Sequence, residues 1–256
     1  MPIDPSRIFG PGWNRSAGAR IVCLPFAGGS AASFGPWRRG FDGAVQLLPV
    51  ELPGRGARFA EPLVEHAEVI AAELAEALSG LPAAPLLLYG HSMGTILAYE
   101  TARRLHGRAQ IAGLVLTGRR APHWPDARPA RQDFSDAALI AEMRAMGGTR
   151  PEVFESPDLL SLMLPVLRAD YRLVANYRPE LGALLPKLPL PASVIGGEAD
   201  ARNPVDSLAA WGELFAGPVE TAIWPGGHFF IHAHQHRLLA HLRDCLERWM
   251  SPINGA

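Results

Sequence analysis

The sequence has few cysteines, no surplus of charge of either sign and no long apolar run. Its two cysteines, Cys23 and Cys245, belong to no metal-spacing motif, so we expect buried thiols in a reduced, cytoplasmic protein. The 24 basic and 25 acidic side chains nearly cancel, which argues against a nucleic-acid partner because such proteins carry a clustered basic surface. No stretch approaches the roughly 20 apolar residues of a membrane span, and residues 1–20 lack the apolar segment of a secretory signal.

Short apolar runs alternate with longer segments of helical periodicity. The runs predict buried strands, and they lie at 20–24, 45–50, 85–89, 111–116, 192–195 and 219–223. Apolar residues recur at helical spacing in four other segments, 65–78, 93–105, 205–214 and 235–249. This alternation predicts an α/β fold with a mostly parallel sheet between layers of helices. Chains of about this length often form one domain, so we expect a single domain over 1–256.

The segment 120–188 interrupts the alternation. It has no strand-like run but contains two helical stretches, near 135–146 and 157–177. Insertions of this length are uncommon unless they are functional, and α/β folds bind ligands at the carboxyl ends of their strands. We therefore predict a helical lid over that edge. Crossover helices without a lid role are the alternative.

The predicted third strand runs into the pattern Gly-x-Ser-x-Gly, formed by Gly90, Ser92 and Gly94. A helical segment follows directly, and this strand–turn–helix setting is typical of a nucleophile elbow. We predict that Ser92 is the nucleophile. Its hydroxyl would lie at the amino end of a helix, where backbone N–H groups favour developing negative charge.

A serine needs a base, and the order of the triad in this fold is Ser, acid, His. After the last strand the glycines before His228 allow a tight loop that brings an imidazole over the strand ends, so His228 is the predicted base. Asp200 follows the preceding strand and two glycines in the same way. It is the favoured acid, which would hold the imidazole in the correct tautomer. Glu198 and Asp206 are weaker candidates.

Three more histidines follow closely, at His232, His234 and His236. A metal site is one interpretation of this group, but no cysteine or carboxylate cluster accompanies it. We expect these histidines at a helix start and on the surface, and we expect neither a metal nor a cofactor.

The oxyanion hole needs two N–H donors. Met93, the residue after the nucleophile, is expected to supply one. The other is expected from the glycine-containing loop 25–30 after the first strand, at Ala27 or alternatively Phe26. The same loop lacks the Lys-Ser/Thr ending of a phosphate-binding P-loop.

The sequence resembles the type II thioesterases that accompany polyketide and nonribosomal peptide synthases, which have the α/β-hydrolase fold. The matching segments are 24–29, 52–56, 90–94, 118–122, 167–171, 196–200 and 225–230, which together span nearly the whole chain. The resemblance implies hydrolysis of acyl groups from the phosphopantetheine thiol of acyl or peptidyl carrier proteins, through an acyl-enzyme. In the family this reaction removes misprimed or stalled units, and some members release products.

One departure separates the chain from the thioesterase domains fused to synthases, which often carry their acid after the strand that follows the nucleophile. Here the strand 111–116 leads into Thr117, Gly118, Arg119 and Arg120, without a carboxylate. The acid must then lie later in the chain, at Asp200, which favours the stand-alone type. We expect a monomer.

Carrier proteins are usually acidic, so arginines near the strand ends are candidates for steering them. The candidate carrier or substrate contacts are Arg55, Arg119, Arg120, Phe26 and Phe229, with Arg58 and Arg168 as further arginines. Solvated surface charge or a structural ion pair is the alternative for each arginine. Apolar residues of the insertion could line an acyl tunnel or pack its helices together, namely Leu159, Leu160, Leu162, Met163 and Leu164.

Three other functions use the same residues. A carboxylesterase or lipase acting on small oxygen esters would have the same triad. A thioesterase that releases or cyclises a product differs only in what attacks the acyl-enzyme. A binding protein could retain the scaffold without catalysis, but an intact Ser92, Asp200 and His228 argue against it.

Overall fold

The computed structural model describes residues 3–41, 43–124, 133–179 and 186–250. Within these residues six strands form one sheet in the order β2-β1-β3-β4-β5-β6, and each neighbouring pair is parallel. The strands are β1 (Ala19–Leu24), β2 (Val45–Pro49), β3 (Leu86–His91), β4 (Ile111–Thr117), β5 (Ala192–Gly197) and β6 (Val219–Trp224). The prediction of a parallel sheet is confirmed, and each strand lies within two residues of its predicted bounds.

The α-helices of the described residues precede, join and follow these strands. They are α1 (Pro5–Phe9), α2 (Ala67–Ser79), α3 (Met93–Leu105), α4 (Asp136–Met146), α5 (Pro151–Phe154), α6 (Pro157–Asn176), α7 (Val205–Ala209), α8 (Phe230–Ala233) and α9 (Gln235–Met250). Segments of 3₁₀ helix occupy Ala31–Gly40, Gly56–Arg58 and Ala210–Leu214. The sequence pattern predicted neither α1, α5 and α8 nor the 3₁₀ segments before residue 60, because these elements carry no regular apolar repeat.

Two layers of helices bury the two faces of the sheet. Val22 of β1 packs in a cluster with Leu74 of α2 and Ile96 of α3. The neighbouring Ile21 points to the opposite face and packs in a second cluster with Leu242 of α9. Each such side chain contributes roughly 1.5–3 kcal/mol of burial free energy. Because both faces of the sheet are buried, the sequences of these strands are nearly continuous apolar runs.

The segment between β4 and β5 contributes α4 and α6, which pack together through Leu139, Met143, Leu164 and Leu167. The partly buried Ala27, in the loop after β1, packs against this cluster, so the two helices lie at the carboxyl edge of the sheet. Residues 125–132 and 180–185 of the predicted insertion 120–188 lie outside the described residues, and its lid role stays a prediction.

For the apolar residues in the first turns of α6, the structure favours helix packing over the lining of an acyl tunnel. Leu159 and Leu162 are exposed, while Leu160 and Met163 pack against the cluster that joins α6 to α4. No helix among the described residues is both long enough and apolar enough to cross a membrane.

Candidate active site

Ser92 lies in a sharp turn between β3 and α3. Its φ of 53° and ψ of −115° are unusual, and among the described residues it is the one residue other than glycine with a positive φ. Such backbone strain clusters at functional sites. A Cβ at Gly90 would lie 2.1 Å from the carbonyl oxygen of Gly94, and one at Gly94 would lie 2.3 Å from that of Leu24. These contacts explain why the turn requires a glycine on each side of Ser92.

The structure brings the three residues predicted for catalysis together. Nε2 of His228 lies 3.0 Å from Oγ of Ser92, and Nδ1 lies 2.7 Å from Oδ2 of Asp200. Asp200 and His228 follow β5 and β6, and their loops are joined by a hydrogen bond from the N–H of Ala199 to the carbonyl of Gly226, 2.8 Å long. The arrangement is that of a nucleophile, a base and an acid that orients the base.

Asp200 is the carboxylate that reaches His228, whereas the side chains of Glu198 and Asp206 are exposed. Burial alone would raise the pKa of Asp200, but the hydrogen bond with His228, its positive charge and the hydrogen bond from Asn203 outweigh that effect and lower the pKa. Asp200 is therefore a carboxylate at neutral pH, as an acid that orients the base must be.

Asn203 is a member of the site that the sequence pattern did not predict. Its Nδ2 donates to Oδ2 of Asp200 at 2.9 Å and to the carbonyl of Gly118 at 3.1 Å. Its Oδ1 accepts the N–H of Arg120 at 3.0 Å. Asn203 thus joins the acid loop to the loop after β4. The only signal in the sequence was an asparagine soon after Asp200, which is typical of any turn.

His91, directly before the nucleophile, is a second residue that the sequence analysis missed. Its side chain is buried, Nδ1 lies 3.0 Å from Oγ1 of Thr117, and its ring centroid lies 5.1 Å from that of His228. Burial, and after it the nearby His228, hold the pKa of His91 well below 6.5. A neutral ring therefore borders the predicted base.

Ala27 and Met93 line the same cavity as Ser92 and His228. Within the described residues no protein acceptor takes up the N–H of either residue. Both groups are therefore available to a ligand oxygen, as the predicted oxyanion hole requires.

Residues 19–246 match the thioesterase domain family. The chain belongs to the thioesterase family. It is similar to Thioesterase PikA5 of Streptomyces venezuelae, 35% identical over 90% of this chain and 82% of PikA5. The structure of the type II thioesterase BorB from the borrelidin biosynthetic cluster is 32% identical, with a TM-score of 0.80, and the match covers 91% of this chain and 94% of BorB.

A further structural relative is RedJ, a thioesterase from the prodiginine biosynthetic pathway in Streptomyces coelicolor. It is 33% identical with a TM-score of 0.80, and the match covers 96% of this chain and 93% of RedJ. These similarities place the thioesterase among the type II thioesterases. They also confirm the prediction of the α/β-hydrolase fold.

Two aromatic side chains predicted to contact the substrate lie beside the triad of the thioesterase. The rings of Phe26 and Phe229 meet edge to face with centroids 5.0 Å apart, and Phe229 lies 5.2 Å from the ring of His228. His232 stacks on Phe229, and Nε2 of His234 lies 2.9 Å from the carbonyl oxygen of Pro225. His232 in α8 and His236 in the first turn of α9 are exposed, as the sequence analysis expected of a helix start and a surface.

The cavity of the thioesterase has a volume of about 970 Å³. Ser92 and His228 lie in its wall, and α6 contributes Tyr171 and Val174 to the same wall. Arg119 and Arg120 also line it and are half-buried. The structure therefore places these two predicted contacts at the cavity.

The structure corrects the prediction for Arg55. Its guanidinium is buried and forms two hydrogen bonds of 2.7 Å with the carboxylate of Asp170 on α6, so it does not face a carrier protein. Arg58 is likewise buried and paired, with Glu61 and Glu73. Both arginines are thus paired with carboxylates of the protein and are not exposed cations.

Proposed function

We propose that the thioesterase hydrolyses acyl groups from the phosphopantetheine thiol of carrier proteins in polyketide or nonribosomal peptide biosynthesis, which removes misprimed or stalled units. The observation that supports this proposal is the hydrogen-bonded series from Ser92 through His228 to Asp200, with distances of 3.0 and 2.7 Å, in a wall of the cavity. The similarity to type II thioesterases supplies the substrate class.

In the first half-reaction Oγ of Ser92 attacks the thioester carbonyl carbon while Nε2 of His228 takes the hydroxyl proton. Asp200 stabilises the resulting imidazolium. The N–H groups of Ala27 and Met93 bind the oxyanion. When the C–S bond breaks, His228 returns the proton to the leaving thiolate. The acyl group is then an ester of Ser92.

In the second half-reaction a water molecule attacks the ester carbonyl and His228 takes its proton. Collapse of the intermediate breaks the bond to Oγ, Ser92 regains its proton, and the free acid leaves. Each proton is exchanged between Ser92, His228 and the reactants. The mechanism therefore uses neither a metal nor a cofactor, because phosphopantetheine enters as part of the substrate.

The insertion is proposed to act as a lid, and the arginines at the cavity as carrier contacts. Residues of α4 and α6 form a wall of the cavity. This wall is suited to bind an acyl chain that extends from the thioester carbonyl at Ser92. Arg119 and Arg120 carry positive charge beside that cavity, and an acidic carrier would be attracted to it. Phe229, next to His228, and Phe26, which packs on Phe229, are suited to contact the pantetheine arm or the acyl group.

The test is incubation of the protein with carrier proteins bearing acetyl, malonyl, longer fatty acyl or aminoacyl groups on phosphopantetheine. Mass spectrometry of the intact carrier follows acyl loss, with Ser92→Ala as the control. We expect loss with the wild type and none above background with the variant. Retention of every acyl group alongside rapid cleavage of small oxygen esters would instead identify a carboxylesterase.

A further inference from the structure

A buried ion pair connects the insertion to the loop that carries the proposed oxyanion donor. Nη1 and Nη2 of Arg55 each lie 2.7 Å from a carboxylate oxygen of Asp170. The side chain of Asp170 is 0% exposed and that of Arg55 is 7% exposed. The pair is the bidentate form, which fixes the relative orientation of its partners as well as their distance.

Both members of the pair also bind the loop after β1. Oδ2 of Asp170 accepts the N–H of Gly28 at 2.7 Å, and Nη1 of Arg55 donates to the carbonyl of Gly29 at 3.1 Å. Gly28 has a φ of +76°, and a Cβ there would lie 3.2 Å from Cδ1 of Leu167 on α6. The loop is therefore held at two successive residues by side chains from two other parts of the chain.

These contacts bear on Ala27 because Gly28 is its neighbour in the chain. The N–H of Ala27 belongs to the peptide unit that joins Phe26 to Ala27, and the carbonyl of the same unit accepts the N–H of Gly29 at 2.8 Å. A displacement of Gly28 and Gly29 would therefore tilt this unit and redirect the N–H of Ala27, a residue that lines the cavity beside Ser92. An oxyanion donor is effective only when it is fixed in place before charge develops. Small displacements therefore weaken transition-state binding more than binding of the substrate.

We infer that Arg55 and Asp170 are positioning residues, which together hold the loop after β1 so that the N–H of Ala27 points at the oxyanion. The inference rests on the proposed role of Ala27 and goes beyond it by naming the side chains that set its direction. It also gives α6 a role in catalysis, since Asp170 joins the insertion directly to the loop.

The principal test is Asp170→Asn, which keeps the size of the side chain and removes its charge. We expect kcat for a small acyl-pantetheine thioester to fall about 10- to 100-fold with KM within threefold. This is less than the roughly 10²- to 10³-fold cost of deleting an oxyanion donor. Arg55→Lys keeps the charge but loses the fork of donors, and we expect an intermediate fall. The Arg55→Lys variant provides the same test if the Asp170→Asn variant does not fold.

Removing one partner of a buried ion pair also destabilises a protein, so a matched control is needed. Glu73→Gln provides it, because Glu73 pairs with the buried Arg58 at 2.6 Å and has no hydrogen bond to the loop after β1 within the described residues. We expect Glu73→Gln to lower Tm while kcat stays within twofold of the wild type. Equal loss of kcat in both variants at equal loss of Tm would show that the Arg55–Asp170 pair is structural only.

A trifluoromethyl ketone analogue of the thioester reports on the oxyanion directly. Oγ of Ser92 adds to the ketone carbon, its proton passes to His228, and the carbonyl oxygen becomes an oxyanion. The matching methyl ketone binds without this adduct. We expect the variants at Arg55 and Asp170 to weaken the fluoroketone by the factor by which kcat/KM falls and to leave the methyl ketone within threefold.

The two ketones also separate this inference from the proposed function. If the wild type binds the fluoroketone no more tightly than the methyl ketone, then the proposed covalent chemistry at Ser92 fails. If the wild type prefers the fluoroketone and Asp170→Asn keeps the full preference, only the positioning role is overturned.

Discussion

Asn203 and His228 bind the same oxygen of Asp200. Nδ2 of Asn203 lies 2.9 Å from Oδ2, and Nδ1 of His228 lies 2.7 Å from it. Two donors on one oxygen fix the plane of the carboxylate, and both lower the pKa of Asp200 against the opposing effect of burial. The ionised form of the acid is thus maintained from two loops.

Replacing Asn203 by alanine should move the activity profile toward higher pH. Loss of the donor raises the pKa of Asp200, so protonation begins to impair the triad at a higher pH. We expect the acid limb of kcat/KM against pH to shift upward and kcat at neutral pH to fall about tenfold, consistent with one charge-assisted hydrogen bond. Asn176→Ala is the control, because this asparagine is exposed and donates to the carbonyl of Glu65. An unchanged acid limb would contradict the assignment.

The elbow glycines should tolerate no Cβ. Gly94→Ala would place that atom 2.3 Å from a carbonyl oxygen of β1, which cannot move without disturbing the sheet. We expect a loss of more than about 3 kcal/mol in the free energy of unfolding, above the usual cost of overpacking, in urea titrations followed by circular dichroism. Gly35→Ala should be close to neutral, since a Cβ at that position would meet nothing within 4 Å.

Glu61 should make stability depend on pH in the acidic range. Hydrogen bonds from Arg58 and then Arg7 lower its pKa from 4.5 to about 2. Its contribution is present above pH 4.5 and is lost as the pH falls toward 2, because the folded state must then be protonated. We expect Glu61→Gln to cost about 1–2 kcal/mol at pH 7, allowing for solvent screening. The difference from wild type should shrink on acidification in urea titrations at several pH values. A constant difference would exclude this linkage.

The two thiols should be unreactive in the folded protein. Burial raises the pKa of Cys245 to about 11 and that of Cys23 well above 9. The thiolate is the reactive form, so we expect less than a tenth of the thiol content to react with a disulfide reagent such as Ellman's reagent within an hour at pH 8. Both should react within minutes in 6 M guanidinium chloride. Fast labelling of the native protein would show that α9 opens readily.

The carrier contacts should appear in KM and not in kcat. For Arg119→Ala and Arg120→Ala we expect KM for an acyl-carrier to rise about threefold to tenfold at low salt. The effect should fade as salt is added, because such steering is screened. KM for a free acyl-pantetheine should stay unchanged. Arg108→Ala is the control, since Arg108 follows α3 at the opposite edge of the sheet and pairs with Glu76. Equal effects on both substrates would argue against carrier recognition.

Strand ends made the triad predictable. Ser92, Asp200 and His228 each follow a short apolar run and stand next to glycines, so their position at the carboxyl edge could be inferred from local sequence alone. Contacts between distant segments could not be inferred in this way. Gly28 and Asp170 form a hydrogen bond although they lie 142 residues apart, and neither local sequence indicates its partner.

The error over Arg55 has the same origin. Its position in a loop after a strand suggested an exposed cation. The direction of its side chain is instead set by Asp170, a partner 115 residues away in the chain. A buried arginine has to be paired, and the pairing carboxylate lies on a helix that periodicity located without saying which side faced inward. Asn203 and His91 escaped prediction because a turn residue and a variable position in the elbow motif have no distinctive pattern.

The cavity wall combines residues at the strand ends with residues of α6, and this has a consequence for how this enzyme can diverge. Ser92, Asp200 and His228 are anchored by the sheet, whereas Tyr171 and Val174 reach the cavity from α6. Substitutions on the cavity side of that helix can reshape the acyl site while the strand ends keep their geometry. Selection can therefore retune the substrate range in small steps without rebuilding the chemistry. Asp170 limits this freedom, because its carboxylate accepts the N–H of Gly28 in the loop that carries the proposed oxyanion donor.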